Sequence, residues 1–104
     1  MERRGISSSR EVKQMAGGSR VSAAGLLLRP HRPPTRSGKI TVFLSLEDEF
    51  GILDVTVFEQ VYFQYGAFIF GEQQGPLLVR GIVQRRGNGV SLLAESLSFV
   101  PVRH

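Results

Sequence analysis

The chain of 104 residues is 41% hydrophobic and 21% charged, which fits one domain and excludes wholesale disorder. No apolar run approaches the roughly 20 residues of a membrane-spanning helix. The absence of cysteine excludes disulfides, thiolate metal sites and a cysteine nucleophile. A serine run follows Gly5, where a secretory signal would need an apolar stretch. We therefore expect a cytoplasmic protein that does not act at a membrane.

The net charge of +4 is distributed unevenly along the chain. Residues 1–39 carry nine basic and two acidic side chains, residues 40–75 carry six acids and no base, and residues 76–104 carry four arginines and one glutamate. If folding brings the two basic segments together, they form a positive surface that attracts phosphates. The alternative is that these charges only keep the protein in solution.

The N-terminal segment carries the signal of a helix start. Ser8 and Glu11 have the spacing of a capping box, in which each side chain binds the other residue's free backbone amide. The apolar residues that follow recur at helical spacing, and Gly17–Gly18 can end the helix in the left-handed conformation. The pattern predicts a short helix over residues 9–16 that closes one end of the domain.

Beyond this segment, which we assign to residues 1–19, the periodicity changes to that of extended strands. Gly25 lies inside the first strand, where a glycine commonly marks a bend, so this strand can belong to two sheets. Residues 59–65 have helical spacing between the third and fourth strands. Residues 20–104 are therefore predicted to form an all-β domain, an OB-fold, which is a five-stranded Greek-key barrel. The five strands are predicted at residues 21–29, 40–47, 52–58, 77–85 and 90–99.

The alternation in the second and third strands divides their residues between core and surface. It places Phe43 and Phe58 outward on neighbouring strands, because each is out of step with the inward apolar residues. Aromatic rings on such a face can stack on the bases of a single strand. For Phe58 the alternative is that it packs beneath the short helix as part of the core.

Two cationic clusters are predicted to flank this face, because an OB barrel binds its ligand between the loops that carry them. The first is an exposed loop over residues 30–39, where three prolines prevent regular pairing. The second lies on the hairpin that joins the last two strands. Phosphate contact is the functional interpretation, and solvated charge is the alternative. The candidate phosphate-binding residues are Arg32, Arg36, Lys39, Arg85 and Arg86.

The sequence offers no specific support for catalysis, a cofactor or a metal. His31 is the one internal histidine and is expected to be a loop contact. The acids of Glu47–Glu49 lack the ligand spacing of a calcium loop and are expected to be turn residues. No motif places a nucleophile beside a base, so the sequence predicts a protein without enzymatic activity and without a cofactor.

Several stretches of residues 21–95 are similar to a known family. They resemble the OB domain near the C-terminus of bacterial DNA polymerase III alpha subunits, and most closely that of the error-prone polymerases. The pattern Phe-x-x-Leu-x-Asp-x-x-Gly over residues 43–51 is also similar to the anticodon-binding domains of several aminoacyl-tRNA synthetases. The resembling stretches are RVSAAGL at 20–26, RPPTRSGK at 32–39, FLSLEDEFG at 43–51, VTVF at 55–58 and LVRGIVQR at 78–85.

In both families the Phe that matches Phe43 lies on the nucleic-acid face, where the alternation places it independently. The chain departs from the families at Asp54, where they tend to carry an amide, and at Phe58, where the polymerase relatives favour Trp. A carboxylate at position 54 would repel phosphate. The resemblance also implies that the catalytic carboxylates of the polymerase belong to another domain.

The resulting hypothesis is a non-enzymatic OB module that binds single-stranded DNA with little sequence preference, as part of a DNA polymerase or as its free-standing accessory. One alternative is a protein-interaction module of a replication or repair complex, in which the exposed Phe residues and the acidic segment meet a partner subunit. Another is an RNA-binding module similar to the anticodon-binding domains.

Overall fold

The computed structural model describes residues 5–100. Residues 1–4 and 101–104, which belong to the two predicted segments of the chain, lie outside the described residues. Five strands form a closed barrel in the order β1-β2-β3-β5-β4, which confirms the predicted all-β barrel and its helix between the third and fourth strands. Every neighbouring pair is antiparallel except β3 and β5, which run parallel. The elements are α1 (Ser9–Val12), β1 (Arg20–His31), β2 (Thr41–Asp48), β3 (Gly51–Phe58), α2 (Glu59–Tyr65), α3 (Ala67–Phe70), β4 (Leu77–Arg86) and β5 (Gly89–Phe99).

The first strand bends at Gly25 and belongs to both sides of the barrel, as the sequence predicted. Residues 20–25 pair with β4, and from Leu26 onward the strand pairs with β2. A β-carbon at Gly25 would lie 2.6 Å from the backbone oxygen of Glu47, closer than real side chains approach. Only glycine therefore fits where β1 passes over the end of β2.

The end of β1 differs from the prediction. The strand continues through Pro30 to His31, which pairs with Phe43, whereas the sequence indicated a loop from Pro30 onward. The register shifts between Leu28 and His31, and Arg29 within this bulge has a φ of 51°. A bulge leaves a residue unpaired, so Pro30, which has no N–H to donate, is tolerated and the strand resumes beyond it.

The core consists of the inward residues of the barrel with one apolar side chain inserted at each end. The predicted inward residues of β3, which are Leu53, Val55 and Val57, are at most 1% exposed. Val12 of α1 is fully buried at the end where β2 turns into β3, and Ile69 of α3 is buried with the same core. Burial of each such side chain stabilises the fold by roughly 1.5–3 kcal/mol.

Helix α1 is shorter than predicted and ends at Val12 instead of residue 16. Its predicted capping box is present, because the Glu11 amide donates to Ser8 Oγ at 3.1 Å and the Ser8 amide donates to Glu11 Oε1 at 2.8 Å. After Val12 the backbone tightens, and the amide of Met15 donates to the carbonyl oxygen three residues earlier. The carbonyl oxygens freed by this change accept hydrogen bonds from the distant side chain of Arg85.

Helix α2 has the predicted bounds, and a second helix follows it. Gly66 caps α2, but its right-handed conformation, φ −57° and ψ −28°, lets a further helical turn begin at once. The apolar run of residues 68–70 belongs to this second helix, α3. No helix within residues 5–100 is long and apolar enough to cross a membrane.

Candidate nucleic-acid interface

The outer surface of the β2–β3 hairpin presents two phenylalanine rings on neighbouring strands. Phe43 of β2 is 39% exposed and Phe58 of β3 is 50% exposed, so Phe58 lies outside the core. Phe43 pairs with Thr56, and Phe58 lies two residues further along the same face. The rings are therefore diagonal neighbours, whose side chains are close enough to form one aromatic surface. We call the whole outer surface of the β2–β3 hairpin the hairpin face.

A third ring joins the hairpin face from β1. The His31 imidazole lies 5.7 Å from the Phe43 ring, measured between centroids, with the ring planes 32° apart. The sequence placed His31 in the loop and so missed this contact. The cause is the bulge at Arg29, which returns the chain to the sheet beyond Pro30 and which no local pattern signalled. The aromatic surface thus spans three strands.

The basic loop, residues 32–40, adjoins the end of the hairpin face that carries Phe58. It is anchored there by the Ile40 amide, which donates to Glu59 Oε2 at 3.4 Å. Within the loop, Thr35 Oγ1 donates to the backbone oxygen of Lys39 at 2.6 Å. Its cationic residues Arg32, Arg36 and Lys39 are all exposed. Fixed at both ends, the loop holds its positive charge beside the aromatic rings.

Arg32, the arginine of the basic loop nearest to β1, contacts helix α2. The Arg32 guanidinium lies 5.9 Å from the centroid of the Tyr62 ring of α2, a cation–π contact. Within residues 5–100 the one salt bridge joins Arg20 to Glu95 at 3.6 Å, so neither Arg36 nor Lys39 is neutralised by such a pair.

The predicted second cluster, Arg85 and Arg86, lies at the opposite end of the hairpin face. Because β5 runs parallel to β3 with Ser91 beside Asp54, the β4–β5 turn lies beyond the first residue of β3. The length of β3, at about 3.3 Å a residue, separates the two cationic clusters by about 20 Å. The structure therefore places them at the two ends of the face and does not bring them together.

Arg85 also has a structural contact that the sequence did not reveal. Its Nη1 atom donates hydrogen bonds to the backbone oxygens of Lys13 at 3.0 Å and Met15 at 2.9 Å. These bonds fasten the turn after α1 to the β4–β5 hairpin. A guanidinium has five N–H donors, so the two bonds leave others for a ligand. Arg86, the next residue, is exposed.

Two carboxylates lie on the hairpin face itself. Asp54 and Glu47 are both exposed, and Ser45 donates a hydrogen bond from its hydroxyl to Asp54 Oδ1 at 3.1 Å. They are on the half of the face that is remote from the basic loop. The face is thus divided into an aromatic half beside cations and a half that carries negative charge.

Asp48, in the predicted acidic turn, has a structural role. Burial raises the pKa of Asp48, but hydrogen bonds from Ser9 and from the amides of Phe50 and Gly51 outweigh that effect, and its pKa lies below the ordinary value. The Ser9 amide and hydroxyl each lie 2.7 Å from an Asp48 oxygen. Asp48 thus fastens the first turn of α1 to the β2–β3 turn.

Residues 5–100 contain no cluster of three or more acidic or histidine side chains that could hold a metal ion.

Comparison with known families decides which family this barrel represents. Residues 19–100 match the tRNA anti-codon family, which is described as an OB-fold nucleic acid binding domain. The chain belongs to this family. The match includes all five strands, α2 and α3 of the OB domain, together with both cationic clusters and the hairpin face.

The relatives of the OB domain include segments of much longer proteins. The chain is 52% identical over 100 residues to the error-prone DNA polymerase of Symbiobacterium thermophilum, and 42% identical over 85 residues to that of Ruegeria pomeroyi. These alignments cover 96% and 81% of this chain but only 9% and 7% of the two relatives. The predicted resemblance to error-prone polymerases is therefore confirmed, and the chain spans about a tenth of their length or less.

The fold is also found in a synthetase structure. Asparaginyl-tRNA synthetase from Pyrococcus horikoshii superposes with a TM-score of 0.65 at 25% identity, and the superposition covers 88% of this chain and 22% of the synthetase chain. The predicted similarity to aminoacyl-tRNA synthetases thus extends to the three-dimensional fold.

Proposed function

We propose that the OB domain binds single-stranded DNA across the hairpin face. The observation that carries this proposal is the pair of half-exposed rings, Phe43 and Phe58, on neighbouring strands beside a loop with three exposed cations. Each ring stacks on a base, and stacking contributes on the order of 1–3 kcal/mol per base with little sequence preference. Every base has a flat face that can stack and every nucleotide has a phosphate, so these contacts do not depend on the sequence of the strand.

In this proposal the cations contact the phosphates at both ends of the face. Arg36 and Lys39 bind the strand as it leaves the aromatic half, and Arg32 contacts it from the α2 side of the basic loop. Arg85 and Arg86 bind it beyond the acidic half, where their charge offsets Asp54 and Glu47. Arginine suits this role because its planar fork binds a phosphate through two hydrogen bonds.

The relatives support DNA as the ligand, since the proteins that align with most of the chain include the error-prone DNA polymerases of Symbiobacterium thermophilum and Ruegeria pomeroyi. In that context the OB domain would act without catalysis of its own, in the cytoplasm, and would hold the template strand ahead of the polymerase active site. Other replication proteins are the partners to expect there. The synthetase structure, named for its tRNA substrate, favours RNA as the second candidate ligand.

The protein-interaction alternative rests on exposed apolar surface elsewhere in the domain. Phe50, Phe63 and Phe70 are each at least half exposed, and all three lie outside the hairpin face. A partner subunit bound through such rings would respond little to salt, whereas phosphate contacts weaken steeply as salt rises. Salt dependence therefore separates the two functions.

The test is fluorescence anisotropy with a labelled single-stranded DNA of mixed sequence, at low and at moderate salt. Phe43→Ala should weaken binding by about tenfold, because one stacked base is lost. Phe70→Ala, which removes a similarly exposed ring from α3, is the matched control and should bind as the wild type does. No binding at low salt, or equal binding by all three proteins, would refute the proposal.

The phosphate contacts are tested by the salt slope of the same titration. The double variant Arg36→Gln, Lys39→Gln should lower the slope of log affinity against log salt by about 1.4, since each single-strand phosphate contact contributes about 0.7. An unchanged slope would show that the basic loop does not touch phosphate. A matched RNA of the same sequence, titrated in parallel, shows which polymer the domain prefers.

A further inference from the structure

A groove opens beside the hairpin face because β3 and β5 separate early. Their parallel pairing covers only residues 54–56 of β3 and 91–93 of β5, so the strands diverge before Phe58. The basic loop and α2 border the resulting groove, which has a volume of about 760 Å³. The residues that determine its chemistry are Lys39, Phe58, Glu59, Phe63, Leu93 and Glu95.

The groove has two exposed aromatic rings among its lining residues. Phe58 is 50% exposed and Phe63 of α2 is 67% exposed. The exposed part of each ring does not stabilise the fold, because only buried apolar area does so. Phe58 belongs both to the groove and to the hairpin face. A strand stacked on Phe43 and Phe58 therefore reaches the edge of the groove at Phe58.

The groove carries charged side chains of both signs. Lys39 lies on the side of the basic loop, together with the hydroxyl groups of Thr35 and Ser37. Glu95 of β5 is 3.6 Å from Arg20, and Glu59, the first residue of α2, accepts from the Ile40 amide at the end of the basic loop. A phosphate is attracted to the loop side and repelled by the carboxylates, whereas carboxylates accept hydrogen bonds from the amino groups of bases.

We propose that this groove is a second base-binding site, which takes the nucleotide that follows the one stacked on Phe58. Its base enters beside Phe63, and its phosphate stays with Lys39 on the basic loop. This inference rests on the proposed function, since it extends the same strand. It makes the footprint of the domain longer than the hairpin face and turns the strand toward α2.

The test is a length series of labelled single-stranded oligonucleotides, from about 4 to about 14 nucleotides, which covers the usual site size of one OB domain. The wild type should gain affinity with length until the groove is filled. Phe63→Ala should lose that gain, about tenfold for the longest strands, and should bind the shortest ones as the wild type does. Phe70→Ala, the matched exposed ring outside the groove, should follow the wild type at every length.

The outcomes separate this inference from the proposed function. If Phe43→Ala weakens binding at every length but Phe63→Ala weakens none, the groove does not hold a base and is left for an apolar segment of a protein partner. If Phe63→Ala and Phe70→Ala weaken binding equally, the effect is not specific to the groove and the inference also fails. If the wild type binds no strand at all, the proposed function itself fails.

A photocrosslinking experiment gives an independent readout on the wild-type protein. An oligonucleotide carrying 5-iododeoxyuridine at one position in turn is irradiated with the protein, and the crosslinked peptides are identified by mass spectrometry. One position should crosslink within residues 59–65, next to a position that crosslinks at Phe58 or Phe43. Crosslinks confined to β2 and β3 would overturn the inference.

Discussion

The Arg85 guanidinium donates a hydrogen bond to the backbone oxygen of Met15 at 2.9 Å, across 70 positions of sequence. The same nitrogen donates to Lys13, so the β4–β5 hairpin and the turn after α1 are fastened at one point. A residue that the sequence marked only as a phosphate ligand therefore also contributes to the stability of the fold.

Arg85→Ala should lower the free energy of unfolding by about 1 kcal/mol, because two hydrogen bonds from a charged donor are lost at an exposed site. Arg86→Ala, the neighbouring exposed arginine, is the control and should leave that free energy within about 0.5 kcal/mol of the wild type. Urea unfolding at neutral pH measures both. Equal stability of the two variants would mean that the Arg85 bonds contribute nothing to folding.

Asp54→Asn should strengthen the binding of single-stranded DNA by about threefold, because it removes a negative charge from the hairpin face. The amide keeps an oxygen that can accept the Ser45 hydrogen bond, so the local structure is preserved. Glu49→Gln removes the same charge in the β2–β3 turn, off the face, and should change affinity much less. Anisotropy titrations at low salt compare the variants, and equal effects would show that only net charge matters.

Asp48 should make stability depend on pH in the acid range. Its folded-state pKa is lowered, so its contribution is complete above the unfolded value of about 3.9 and is lost as pH falls through the folded value. Asp48→Asn should cost about 1 kcal/mol at neutral pH, and the difference from wild type should shrink as pH falls below the unfolded value of about 3.9. Thermal unfolding at neutral and at acid pH tests this, and a difference that stays constant with pH would contradict it.

Gly25→Ala should destabilise the barrel by about 2 kcal/mol, because the new methyl group would lie 2.6 Å from the backbone oxygen of Glu47 and force β1 away from β2. Gly17→Ala is the control, since its nearest neighbour outside the turn is an Arg85 side-chain carbon at 3.8 Å, an ordinary contact. Urea unfolding should separate the two by more than about 1 kcal/mol. Similar losses would indicate a general cost of replacing glycine.

Much of the fold was predictable because its signals are local. The period of two in β2 and β3 set which side chains face inward, and the same period was enough to place Phe43 and Phe58 outward. The capping box fixed the start of α1, and the loss of alternation after Phe58 fixed the bounds of α2. Each of these features depends on residues that lie close together in the sequence.

The features that the sequence did not reveal depend on residues that meet only after folding. The extra pair between His31 and Phe43 follows from a bulge, and the groove beside Phe63 exists because the β3–β5 pairing stops at Thr56. The sequence by itself therefore determined the number of strands, the inner and outer faces of β2 and β3, and the family of the domain. Only the tertiary structure decided how the outer residues are grouped, because the closure of a barrel sets the spacing of its strands through contacts distant in sequence.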